Sequence, residues 1–181
     1  PQRHGFSDLI VWAPDATLAQ LPDKPWLVKK TSRALNRNLI WRTYWQKFKL
    51  SRSVALAGCD ILFVPGGSYA GSFRPMVTMS QNLLPFEWRE LKRYGFTLKT
   101  LKLVLLRLTQ SNTFRQAEGV IFLTDYARRA VLDVVGRVSG RVETIPHGIN
   151  SDFHLEKSVA SISRKYSAEN PCKILYVSIV D

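Results

Sequence analysis

The chain has 181 residues, 45% of them hydrophobic, and a formal net charge of +12. That length and apolar content suit a folded domain with its own core and exclude a disordered or low-complexity polypeptide. No run reaches the roughly 18 apolar residues that a bilayer-spanning helix needs. The most apolar stretch, Leu101 to Leu108, is short and carries Lys102 and Arg107. The amino end, Pro1-Gln2-Arg3-His4, holds no initiator Met and no apolar signal segment, so the chain is expected to start inside a longer protein. Cys59 and Cys172 lie far apart without metal-ligand spacing, which predicts two reduced thiols in a cytoplasmic protein.

In chain order, Phe6 to Pro14 is a compact apolar run closed by proline and predicts a buried strand. A loop with Pro22 and Pro25 follows. Thr31-Ser32 offers a helix cap, and the pattern from Arg33 to Ala57 is helical, with Trp41, Tyr44 and Phe48 interleaved and Gly58 as the stop. Asp60 to Pro65 predicts a second strand, closed by Gly66-Gly67-Ser68, and Met76 to Ser80 a third. A long helix is predicted over roughly Leu98 to Ala117, with Leu98, Leu101, Leu105 and Leu108 at helical spacing. The tract that follows carries the strongest local signals: a strand (Gly119 to Leu123), a Thr124-Asp125 cap, a helix (Tyr126 to Val135), a strand (Val142 to Ile145) and the loop Pro146-His147-Gly148-Ile149-Asn150.

Strands alternating with helices predict an α/β fold, a Rossmann-like doubly wound and mostly parallel sheet. The expected organisation is one domain over residues 1–153, a Ser-, Lys- and Glu-rich linker over 154–172, and the opening strand of a further domain over 173–181, where the chain would be cut off. In a doubly wound sheet, the loops at the carboxyl ends of the strands line the ligand crevice. Three such loops are expected on one edge: Gly66-Gly67-Ser68-Tyr69, Ser80-Gln81-Asn82 and Pro146 to Asn150. Paired glycines let a backbone approach phosphates or sugar hydroxyls, though a simple turn explains them as well. Ser80, Gln81 and Asn82 offer neutral donors and acceptors suited to hydroxyl recognition, or equally turn and cap residues. Asp125 reads as a helix cap.

Charge is concentrated between Leu21 and Ser53, where nine basic residues face one acid, Asp23, for a local charge of +8. Lys29, Lys30, Arg33, Arg37, Arg42 and Lys47 belong to this segment. The field favours an anionic membrane, nucleic acid or a phosphorylated ligand; a solvated, lysine-rich helix face is the other explanation.

Three motifs in this order, Asp60-Ile61-Leu62-Phe63-Val64-Pro65-Gly66-Gly67, Met79-Ser80-Gln81-Asn82-Leu83-Leu84-Pro85-Phe86, and Ile145-Pro146-His147-Gly148-Ile149-Asn150 with Phe153, resemble glycosyltransferase family four. These are retaining enzymes of the GT-B fold, in which two Rossmann-like domains face across a cleft. The resemblance covers nearly the whole chain. It implies the acceptor-binding amino-terminal half of such an enzyme, lacking its opening strand and Gly-rich loop, with the nucleotide-sugar domain beginning near Lys173. It further implies sugar transfer from a nucleotide sugar, a substrate rather than a cofactor, to a glycan or lipid-linked acceptor. No metal is implied. Gly66, Gly67, Ser80, Gln81 and Asn82 are the expected acceptor-binding residues. His147, Gly148 and Asn150 are the expected cleft and hinge residues. Where many relatives place a His, this chain has Ser80-Gln81-Asn82, so no catalytic residue is assigned.

The expected activity is therefore that of a hexosyltransferase-type enzyme, cytoplasmic and peripheral on the inner face of the plasma membrane, with these 181 residues inactive alone. A non-catalytic glycan-binding module is the alternative. A basic nucleic-acid-binding domain is a weaker one, and no nucleic-acid partner is expected, since no recognition motif accompanies the basic helix.

Overall fold

The computed structural model describes residues 5–93 and 95–148. The chain divides into two units, Pro1–Pro146 and His147–Asp181. The first is built as follows: β1 (Leu9–Trp12), α1 (Asp15–Leu18), β2 (Leu27–Lys30), α2 (Leu39–Trp45), a π-helical turn (Gln46–Leu50) and α3 (Ser51–Leu56). Then come β3 (Leu62–Val64), β4 (Met76–Ser80), α4 (Trp88–Arg93), α5 (Leu98–Gln116), β5 (Gly119–Phe122), α6 (Asp125–Val135) and β6 (Arg141–Thr144). In the second, His147 and Gly148 are exposed. The expected linker, the strand over 173–181, Asn150, Phe153 and Cys172 lie outside the described residues.

The fold is α/β, a Rossmann-like doubly wound arrangement around a four-stranded, all-parallel sheet in the order β3-β4-β5-β6, flanked by helices. On β4, Met76, Thr78 and Ser80 are buried while Val77 and Met79 are half-buried, as expected of a strand covered on both faces. The edge strands are wetter: Phe63 on β3 and Arg141 and Glu143 on β6 are exposed. Thr78 donates its hydroxyl to the Val64 carbonyl at 2.9 Å, which satisfies a buried oxygen beside the register pair Val64↔Thr78.

Several elements differ from expectation. The run around Phe6 to Pro14 forms a four-residue strand that pairs with β2 in a separate two-stranded parallel sheet. The sequence did not predict β2, because its alternation spans four residues directly after two prolines. The first long helix starts at Leu39 rather than Arg33: residues 32–37 form turns, Leu35 N donating to Ser32 O, and the Asn38 side chain accepts from Trp41 N at 3.3 Å as the cap. Its periodicity shifts at Gln46–Leu50, where the wider π turn sets Trp45 and Leu50 on the core side although they are five residues apart. At α6 the cap is Thr124, whose hydroxyl accepts from Ala127 N at 3.1 Å. Asp125 is the first helical residue, its charge favoured by the helix dipole.

The largest inversion concerns α5. Its leucine stripe, Leu98, Leu101, Leu105 and Leu108, is exposed, and its buried residues are Leu103, Gln110, Ser111, Thr113 and Phe114. The inward polar groups serve the loop after β3: Thr113 Oγ1 accepts from Tyr69 N at 3.0 Å, and Gln110 Nε2 donates to Gly66 O at 3.2 Å.

Gly140 precedes β6, and a β-carbon there would overlap the Ala117 carbonyl oxygen and the Glu118 backbone. Backbone cannot rotate aside as a side chain can, so Gly140→Ala is expected to destabilise the domain by about 2 kcal/mol or more. Thermal denaturation should show this as a Tm lowered by roughly 4–8 °C; an unchanged Tm would refute the close packing.

Candidate binding site at the carboxyl ends of β3 and β4

Because β3 and β4 are parallel neighbours, the loops that follow them leave the same edge side by side. The first loop is rigidly held. Gln46 Nε2 donates to Ser68 O at 3.3 Å, and the Ser51 hydroxyl accepts from Ser72 N at 2.9 Å and Phe73 N at 3.1 Å. From the other side come the α5 contacts of Gln110 and Thr113. Gly67 sits at φ +71, and a β-carbon there would lie 3.1 Å from Gln110 Nε2 and 3.2 Å from the Phe114 ring. Glycine is therefore required by conformation and by the approach of α5. Gly66 is exposed and Gly67 buried, so Gly66 is the member of the pair that faces solvent.

The second loop splits in the same manner. Ser80 is buried at the end of β4, 4% exposed, whereas Gln81 and Asn82 are exposed. Asn82 Oδ1 accepts from Leu84 N at 3.0 Å, an Asx-type turn that leaves its amide NH₂ for an outside partner. Beyond it, Phe86 stacks on Phe114 with ring centroids 5.9 Å apart and anchors the loop in the core. The third predicted loop leaves β6 at the far edge of the sheet, and His147 and Gly148 belong to the second unit.

Two side-chain pairs without a strong sequence signal join the segment after β5 to the segment after β4 and to the end of β6. The Tyr126 hydroxyl donates to Glu87 Oε1 at 2.5 Å, and the Thr144 hydroxyl donates to Asp125 Oδ1 at 2.8 Å. Both carboxylates are exposed or half-exposed acceptors on the same carboxyl edge. Their partners come from elements far apart in sequence, so spacing could not reveal them. Ser68 Oγ, Arg107 Nη1 and Gln110 Oε1 are buried without hydrogen-bond partners.

The basic segment resolves into two kinds of cation. Lys29 is tied to Leu21 O and Asp23 Oδ1, both at 2.6 Å, and Arg42 Nε donates to Leu35 O at 3.0 Å, so these two brace the local fold. Lys30 lies over the Trp12 ring, Arg37 over Trp41 at 5.0 Å, and Lys47 over Phe48 at 5.3 Å. Arg33 and Arg37, with Lys49, border an open groove of about 500 Å³ walled by Trp41 and Tyr44. Around it Leu39, Ile40, Trp41, Tyr44 and Phe48 are all exposed. Among the described residues, no helix is long and apolar enough to cross a membrane, and no cluster of His, Cys, Asp or Glu could hold a metal. Cys59 is a free thiol whose pKa burial raises above its ordinary value, Lys30 opposing the effect.

The hydrogen bond to Glu87, reinforced by the carboxylate charge, raises the Tyr126 pKa above its ordinary 10.0. The folded state therefore holds this proton more tightly than the unfolded state. The associated stability is present below pH 10.0 and lost as pH rises through the folded pKa. Ultraviolet titration should find one tyrosine ionising late, and Glu87→Gln should move it back toward the ordinary value; no movement would refute the pairing. No protein-family profile, no curated protein and no solved structure matches this chain.

Proposed function

We propose that this chain carries the acceptor-binding, Rossmann-like domain of a retaining glycosyltransferase of the GT-B kind, which transfers a sugar from a nucleotide sugar to a glycan or lipid-linked acceptor. The observation that carries this reading is the juxtaposition of the Gly66-Gly67-Ser68 turn and the Gln81-Asn82 loop on adjacent parallel strand ends. Gly66 presents bare backbone, and Gln81 and Asn82 present neutral amides, a donor and acceptor set matched to sugar hydroxyls rather than to proton abstraction. Gln46, Ser51, Gln110 and Thr113 fix the first loop before any ligand arrives, which lowers the ordering cost of binding. The donor would be held by a second domain, toward which His147 and Gly148 would lead. Closure of two domains would exclude water from the transfer step.

The exposed Leu39, Ile40, Trp41, Tyr44 and Phe48, flanked by Arg37, Lys47 and Lys49, support a peripheral contact with an anionic membrane surface. Apolar side chains interleaved with cations on one helix bind interfaces by combined burial and electrostatics.

The intact protein, incubated with a panel of nucleotide sugars and a lipid extract, should transfer label to an acceptor. The 181 residues alone should not. The pair Gln81→Ala and Asn82→Ala should raise the acceptor KM about tenfold, the scale of two neutral hydrogen bonds, with the fold intact. Absence of transfer with every donor would sink the enzymatic reading and leave a glycan-binding module. In vesicle sedimentation, anionic lipid should bind the protein better than neutral lipid, and Ile40→Ser with Phe48→Ser should weaken both. Equal binding to the two lipids would remove the electrostatic part.

A further inference from the structure

The groove beside α2 shares no lining residue with the loops after β3 and β4, and its chemistry differs from theirs. Its cations are Arg33, Arg37 and Lys49, and its aromatic walls are Trp41 and Tyr44; none of its lining residues is acidic. Among the described residues, no carboxylate forms an ion pair with any of the three cations. Cations left unpaired in a shared concavity create a positive potential that an anion relieves.

The groove is also built rather than incidental. One wall is the turn over residues 32–37, pinned at two points. Asn36 exchanges hydrogen bonds with Asp15, its Oδ1 accepting from Asp15 N at 2.9 Å and its Nδ2 donating to Asp15 Oδ2 at 2.7 Å. Arg42 Nε binds the Leu35 carbonyl at 3.0 Å and ties the turn to α2, which forms the other wall. Leu35 and Trp45 beneath are both 8% exposed. The Arg37 guanidinium rests 5.0 Å from the Trp41 centroid, which holds it while its hydrogen-bond donors remain available. Exposed Ile40 and Leu39 follow on the same helix, so an anionic head in the groove could continue into an apolar tail.

We propose that this groove is a phosphate-binding site, taking the phosphoryl head of a ligand whose body packs against Trp41 and Tyr44. Guanidinium groups match a phosphate's oxygens in bidentate fashion, which a carboxylate offers with fewer acceptors. The inference deepens the membrane-facing reading and rests on it for the ligand's source; a free phosphorylated molecule would supply the same chemistry.

The test uses the intact protein with two probes. One is soluble glycerol 3-phosphate, followed by calorimetry. The other is vesicles containing phosphatidic acid, compared with vesicles brought to the same surface charge by a carboxylate-bearing lipid. The variant Arg33→Gln/Arg37→Gln is compared with Lys24→Gln/Arg52→Gln, which removes the same charge outside the groove. Phosphate binding should fall about tenfold or more in the groove variant, the scale of charge-assisted hydrogen bonds, and by less than about twofold in the control. Binding of the soluble probe would identify a free phosphorylated ligand, and preference for phosphatidic acid vesicles alone a lipid headgroup; either supports the site. Equal losses in both variants, equal binding to the two kinds of charged vesicle without soluble binding, or no saturable binding to either probe would overturn it. Circular dichroism of the Arg33→Gln/Arg37→Gln variant separates loss of binding from loss of fold. Absence of sugar transfer leaves this proposal standing, and absence of phosphate binding leaves the transfer reading standing.

Discussion

The Phe114 ring, fully buried on α5, touches the three segments that shape the carboxyl edge. It stacks on Phe86 beyond the β4 loop, meets Phe122 at the end of β5 edge-on with centroids 6.3 Å apart, and crowds the α-carbon of Gly67 after β3. One aromatic side chain thereby fixes the height of α5 over the sheet and the course of two loops. Aromatic burial of this extent contributes several kcal/mol, roughly 3–5 on truncation to alanine. The candidate site depends on that packing, because the same ring meets Gly67 in the first loop and Phe86 beyond the second.

The position of α5 explains why its buried face is polar. A loop pressed against a helix has backbone groups that water can no longer reach, and each needs a partner. Gln110 and Thr113 supply them for Gly66 and Tyr69. Helix spacing alone would have put the leucines inward, since burial of Leu98, Leu101, Leu105 and Leu108 is the apolar solution. The requirement of the loop outweighs it, and the leucines face outward. A similar division operates in the basic segment, where Lys29 and Arg42 bind carbonyl oxygens while Arg33, Arg37 and Lys49 form no ion pair among the described residues.

The sheet edge and the α2 segment thus have different chemistry. The sheet edge presents backbone, amides and two carboxylates already engaged with Tyr126 and Thr144. The α2 segment presents cations on aromatic rings beside exposed aliphatic groups.

Local signals were legible from sequence because their physics is local. The sequence predicts β4 at its observed bounds, Met76 to Ser80, and α5, α6 and the helix stop at Gly58 within a residue or two. A cap, a helical period and a positive-φ glycine each depend on a few neighbouring residues. Tertiary structure decided what those signals could not encode: the pairing of β2 with β1, the start of α2 at Leu39, the outward leucines of α5, and the meeting of Tyr126 with Glu87. Each depends on which backbone groups and side chains arrive from distant segments, and burial is settled by that assembly rather than by spacing along the chain.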